Sequence, residues 1–228
     1  MRGETLMEEN YVMKLPELNC LRPNEQTTFR KLVEEIAECN TSIEELREYE
    51  EQNNTNCLLL SDKEVVMLRE IYKVRLNNVM GEIMDIAQVC ASQLFVFGNY
   101  NINIQMLFNE YMKQNARNEN QIIFQLKNNC RYIHFESTNN CATLEKTMNL
   151  IILSMGKIAQ LGKFTGDNGE IPTISKETSN KKYVYELFEI MQNCFNLLYS
   201  IEEKYHINME KLFDEHVEKL VKKGYCKL

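Results

Sequence analysis

Close cysteine pairs of the C-x-x-C kind are missing from this sequence, tryptophan is absent, and glycine and proline number only 8 and 3 in 228 residues. Each shortage excludes something. The eight cysteines, most of them set among apolar residues in helical patterns, fit neither a zinc site nor a disulfide framework and read as buried free thiols. Few glycines and prolines beside abundant Leu, Ile, Met, Glu, Lys and Asn favour helix. Apolar runs such as Cys90 to Phe97 and Leu150 to Met155 fall far short of the roughly 20 residues that span a bilayer. The opening Met1-Arg2-Gly3-Glu4 lacks the basic-then-apolar order of a signal peptide. The expectation is therefore no membrane partner and a cytoplasmic location. Positive charge is short too. The net charge is −7, with acidic clusters at Glu44 to Glu51 and Glu202-Glu203, so no broad basic face serves a nucleic-acid backbone. The 11 Tyr and 10 Phe recur at helical core spacing without basic neighbours, unlike single-strand stacking platforms, and no nucleic-acid partner is expected. An acidic protein can still take a nucleotide when a divalent cation supplies the positive charge.

What is present is helical periodicity. After an irregular extension over 1–23, Pro23-Asn24 gives a turn and a cap, and Phe29, Leu32, Val33, Ile36 and Ala37 recur at three- and four-residue steps. The polar stretch Glu50 to Asn56 predicts a loop. Ser61-Asp62-Lys63-Glu64 has capping-box spacing and predicts a long helix ending in a left-handed stop near Gly98-Asn99. Another helix is expected over Ile102 to Gln114. Between 121 and 142, Ile122 to Leu126 and Tyr132 to Phe135 fit short helices or short strands. Apolar periodicity returns from Thr143 to Leu161, Gly162, Gly166, Gly169 and Pro172 interrupt it, and helices over Lys182 to Tyr205 and Met209 to Lys223 close the chain.

The two halves share three blocks in the same order. Ile102-Asn103-x-x-x-Leu107-Phe108-x-Glu110 reappears as Ile207-Asn208-x-x-x-Leu212-Phe213-x-Glu215. Glu82-Ile83-Met84-Asp85 matches Glu189-Ile190-Met191-Gln192, and Ile36-Ala37 matches Ile158-Ala159. A shared order is the mark of duplication. The expected architecture is all-α: a helical bundle built from two diverged units, 24–120 and 143–228, joined by a connector over 121–142.

Only the first unit keeps a full acidic set. Glu34-Glu35-x-x-Glu38 lies on one helix and Glu82-x-x-Asp85 on the next, and carboxylates three apart share a face. Two such faces brought together crowd negative charge that a divalent cation would neutralise, and hard oxygen donors suit Mg²⁺ or Mn²⁺. The plainer reading makes the same glutamates the solvated face of a surface helix. The matching positions in the second unit are Gly156, Lys157, Gln160, Glu189 and Gln192, which would hold no metal cluster.

Leu32-Val33-Glu34-Glu35-Ile36-Ala37-Glu38 and Glu82-Ile83-Met84-Asp85 resemble the E-E-x-x-E and E-x-x-D helices of the MazG-like family of all-α nucleoside triphosphate pyrophosphohydrolases, which includes the dimeric dUTPases. The resemblance covers roughly residues 25 to 118 and, in degenerate form, 145 to 225. It implies Glu35, Glu38, Glu82 and Asp85 as metal ligands, Glu34 beside them, Glu35 and Glu38 as catalytic carboxylates, and Lys113, Asn115 and Arg117 as phosphate contacts. It also implies Mg²⁺ or Mn²⁺ as cofactor, a nucleoside triphosphate as substrate, a monophosphate and pyrophosphate as products, and a house-cleaning role in the nucleotide pool. The second copy would replace the second subunit of a family dimer in a pseudo-dimer, and a homo-oligomer stays open. The competing expectation is a catalytically inactive helical scaffold that binds a nucleotide or a protein.

Overall fold

The structure, a computed structural model, describes residues 13–54, 61–99, 102–115, 121–127, 130–136, 142–165 and 171–227. These hold β1 (Met13–Pro16), α1 (Glu25–Asn54), α2 (Asp62–Asn99), α3 (Ile104–Gln114), β2 (Gln121–Lys127), β3 (Cys130–Glu136), α4 (Leu144–Thr165), α5 (Lys176–Tyr205) and α6 (Met209–Lys222). The chain is mostly helical and packs as a bundle in which α1 lies on α2, α4 on α5, and α2 on α5.

The two central helices carry the core. Met80, Ile83, Ala87, Cys90, Ala91 and Leu94 of α2, at helical spacing, are fully buried, as are Val184, Leu187, Phe188, Met191, Cys194 and Phe195 of α5. Each large apolar side chain so buried contributes roughly 1.5–3 kcal/mol. By length and composition α2 could cross a membrane, but 72% of its most apolar stretch is buried inside the bundle, which accounts for that character.

Side-chain caps set the helix starts. Thr27 N–H donates to Asn24 Oδ1 and Asn24 N–H to Thr27 Oγ1, both at 2.9 Å, a reciprocal cap for α1. At α2 only the glutamate half of the expected capping box is seen: Ser61 N–H donates to Glu64 Oε2, and the Ser61 hydroxyl donates to the same oxygen. Asn103 and Asn208, the repeated asparagines, are the N-caps of α3 and α6, each accepting the amide three residues on at 2.9 Å.

Several boundaries differ from the sequence reading. The expected loop from Glu50 is helical to Asn54. Its support comes from α2: the Tyr49 hydroxyl donates to Leu68 O at 2.8 Å, and Arg75 donates to Glu45 O and lies over the Tyr49 ring. Gly98 does not adopt the left-handed conformation expected there; positive φ among the described residues falls at His206, which caps α5, and at Gly224. Gly162 lies within α4, and α5 begins at Lys176 because Ser175 caps it by accepting Thr178 N–H. Gly166, Gly169 and the end of the polar stretch after Asn54 lie outside the described residues.

A three-stranded antiparallel sheet, ordered β1-β3-β2, corrects the all-α expectation. Residues 121–142, expected as a connector, supply the β2–β3 hairpin, and part of the extension expected to be irregular forms β1. Alternation explains the choice, since Met13 and Leu15 of β1 and Ile133 and Phe135 of β3 are all fully buried. Phe135 stacks on Phe195 of α5 at a centroid distance of 4.5 Å, and the Tyr199 hydroxyl donates to Phe135 O. Among the free cysteines described, Cys39, Cys90, Cys194 and Cys226 are buried as expected, whereas Cys20 is exposed.

Candidate metal centre

The packing of α1 on α2 brings Glu35, Glu38 and Glu82 together. One oxygen from each carboxylate lies within 4.8 Å of the other two. The i, i+3 spacing on α1 points both glutamates at α2, while burial grades them: Glu35 is buried, Glu82 half-buried and Glu38 exposed. Glu35 Oε2 and Glu82 Oε2 are buried without a hydrogen-bond partner. Burial raises the Glu35 carboxyl above its ordinary value; the Lys31 hydrogen bond works against that rise, and the charges of Asp85 and Glu38 add to it. Glu82 is raised in the same way, by burial and then by the charge of Asp85, with Lys219 opposing.

Asp85 belongs to this electrostatic neighbourhood but has partners of its own. Its Oδ2 accepts from Lys219 of α6, and its Oδ1 lies 3.3 Å from His216 Nδ1. Burial lowers the His216 imidazole to about 4, the charge of Asp85 opposing, so the ring is neutral at pH 7. For Lys219, burial disfavours the charge, yet its bond to Asp85 raises the ammonium above its ordinary value. Asp85 is thus already paired with a protein cation, whereas Glu35, Glu38 and Glu82 form the cluster.

Glu34 points to solvent beside the site. Lys31 Nζ lies 2.7 Å from Glu34 Oε1 and 2.6 Å from Glu35 Oε1, so Glu34 reaches the buried carboxylate only through a shared ammonium. Burial opposes the Lys31 charge, and the two glutamate hydrogen bonds outweigh it and raise the ammonium.

A pocket of about 450 Å³ opens beside Glu35 and Asp85. Its walls come from α1, α2, the segment before α1 and the end of α6, with Leu18, Leu21, Val89, Leu220 and Tyr225 as apolar surface and Arg22, Lys31 and Lys223 as cations. Cys20 N–H donates to Tyr225 O at 3.1 Å, and Asn19 and Lys227 exchange two hydrogen bonds at 3.2 Å, clasping two of these walls together. A second pocket, of about 480 Å³, is lined by Glu82, His216 and Lys219.

Lys113 and Asn115 lie at the exposed end of α3, where Asn115 Nδ2 donates to Tyr111 O, and neither lines the two pockets. Arg117 lies outside the described residues. Sequence reasoning missed Lys31, Lys219, Lys223 and His216. Lys31, four residues before Glu35, was open to detection as an i, i+4 ion pair. His216 and Lys219 carry no local signal, because they meet Asp85 across more than a hundred residues of chain. The chain has no detectable match among known protein families, among curated proteins or among solved structures.

Proposed function

We propose that the chain is a Mg²⁺- or Mn²⁺-dependent pyrophosphohydrolase that cleaves a nucleoside triphosphate to the monophosphate and pyrophosphate in nucleotide-pool house-cleaning, with one site per chain. One observation carries this reading: three carboxylates meet beside a cation-lined pocket, and two of them hold buried oxygens without partners. Such oxygens are costly unless a cation completes them, and an all-carboxylate set fits a hard divalent ion.

A bound divalent cation supplies charge that offsets the phosphate oxygens and lowers the pKa of water. The protein does the positioning. Lys31 fixes Glu35 through Oε1 and leaves Oε2 to orient or deprotonate the attacking water. Lys31 and Lys223, which line the pocket, take the phosphate-facing role in preference to Lys113, Asn115 and Arg117.

The segments α1–α3 and α4–α6 are diverged copies in this reading, the second standing in for the partner subunit of a family dimer. Their matched order of helices and the equivalent caps Asn103 and Asn208 support it. In the second copy Glu189 accepts from the Tyr111 hydroxyl, Gln192 is fully buried, and Lys157 pairs with Glu186 at 3.2 Å, so its positions are taken up by protein contacts.

A scaffold without turnover is the second reading, and the capture of Asp85 by Lys219 favours it. Pyrophosphate release from a panel of canonical and modified nucleoside triphosphates with Mg²⁺ or Mn²⁺, run beside Glu38→Gln and Glu82→Gln, separates the two. Turnover lost in both variants is expected; no turnover with any triphosphate under either metal leaves the scaffold.

A further inference from the structure

Glu82 and Asp85 stand three residues apart on α2 in opposite circumstances. Glu82 Oε2, like Glu35 Oε2, is buried with no hydrogen-bond partner. Asp85 has a nitrogen at each oxygen: Lys219 Nζ donates to Oδ2, and His216 Nδ1 lies 3.3 Å from Oδ1. Both nitrogens come from α6. The Asp85 side chain is 12% exposed and that of Lys219 44%, so the ammonium reaches in from the surface to meet a buried carboxylate. Lys219 and Glu82 line the 480 Å³ pocket, while Asp85 and Glu35 line the 450 Å³ pocket. The ion pair therefore stands at the edge of the carboxylate cluster, between the two pockets.

With solvent-facing Glu34 set aside, the four carboxylates Glu35, Glu38, Glu82 and Asp85 face the two ammonium groups of Lys31 and Lys219. Two negative charges remain, which a single divalent ion neutralises. An ammonium is a compact charge with three donors and no coordination positions, so the oxygen it occupies is withheld from a metal.

We propose that Lys219 takes the place of a second divalent ion, so that the site holds one Mg²⁺ or Mn²⁺ per chain, on Glu35, Glu38 and Glu82. The inference rests on the metal-centre reading and adds to it the number of ions and the residue that sets that number. Two-metal sites hold their ions about 3.5–4 Å apart and share the attacking and leaving oxygens between them. Here the second positive charge belongs to α6 and arrives with the fold.

The count is read with Mn²⁺ alone, titrated into the full chain and followed by the electron paramagnetic resonance of the free ion. The wild type is expected to bind one Mn²⁺. Lys219→Met frees Asp85 and is expected to bind a second. Asp85→Asn combined with Lys219→Met removes the pair without changing net charge, and one ion is expected again, with an affinity within about threefold of the wild type. Two ions in the wild type, one ion in Lys219→Met, or a loss of about tenfold or more in the double variant each overturn the proposal. If Lys219→Met does not fold, the wild-type count and the charge-matched double variant still decide. No Mn²⁺ on any of the three chains removes the metal centre and this proposal with it; one ion in the wild type whose affinity collapses in the double variant keeps the metal centre and removes only the role of Lys219.

Discussion

Lys31 and Glu35, one helical turn apart on α1, form an ion pair of 2.6 Å whose acidic end is buried and whose basic end is half exposed. The pair holds a carboxylate in place that burial would otherwise push toward the neutral form. In Lys31→Met that carboxylate loses its counter-charge while Asp85 and Glu38 remain close. A stability loss of roughly 1–3 kcal/mol at pH 7.5, shrinking at pH 4 where Glu35 protonates, is expected from urea denaturation. An equal loss at both pH values would show that the lysine acts only by packing.

Glu35→Gln should have the opposite effect. The folded-state value of Glu35 is raised above 4.5, so its contribution to stability is fully present below that pH and is lost as pH rises through the folded value. The variant is therefore expected to be more stable than the wild type at pH 7.5 without added metal. A rise in Tm of about 2–4 °C corresponds to about 1 kcal/mol in a chain of this size. Calorimetry at pH 7.5 and pH 4 checks the sign, and a gain confined to pH 4 would refute it.

Divalent cations should reverse that order. Mg²⁺ or Mn²⁺ at about 100 times its dissociation constant adds about 2.7 kcal/mol to a protein that binds it only when folded. The wild type is expected to gain in thermal shift at pH 7.5 and less at pH 5, where Glu35 and Glu82 hold protons more readily. Glu82→Gln should gain little at either pH. A metal-induced shift as large in Glu82→Gln as in the wild type would place the ion elsewhere.

His216 provides a pH response of the opposite sign. Its folded value of about 4 lies below the ordinary 6.5, so the unfolded chain takes up a proton that the folded chain refuses. The associated stability is present above about 6.5 and is lost as pH falls toward 4. Acidification from pH 7.5 to 5.0 is expected to remove about 2 kcal/mol through this residue. The drop in unfolding free energy between those pH values should be smaller in His216→Gln by about that amount. Parallel drops would mean the imidazole titrates normally.

Asn103→Ala and Asn208→Ala each remove the oxygen that accepts the amide three residues on at the start of α3 and α6. Each should cost about 1 kcal/mol, and the two losses should add because the caps serve different helices. Denaturant midpoints of the two single variants and the double variant decide it.

Helix starts are legible in the sequence where apolar periodicity meets a capping signal, at Asn24 and Ser61, whereas Asn103 and Asn208 stand out there only as repeat positions and cap α3 and α6 in the structure. The repeated Ile-Asn block was read as a trace of duplication, and each asparagine has an immediate local task. Glu35, Glu38 and Glu82 were legible as a cluster because three-residue spacing fixes a helical face and adjacent long helices usually pack. The Lys219 contact of Asp85 was not, since nothing at Asp85 records which distant helix arrives there. The small sheet was only half legible. Tyr132 to Phe135 alternates as a strand does, but Met13 to Pro16 is too short for periodicity to mark and takes its conformation from β3, 116 or more residues away.

The bonds between Asn19 and Lys227, separated by 208 residues, have a consequence for the order in which the protein becomes competent. During synthesis, α1 and α2 emerge and can pack long before residues 220–227 leave the ribosome, so the three glutamates can assemble while one wall of the neighbouring pocket does not yet exist. Closing so long a loop is entropically costly until the intervening helices have docked, which places the clasp late in refolding as well. A nascent or clipped chain would hold the acidic cluster open to water, with its charges gathered but with nothing to confine a ligand against them.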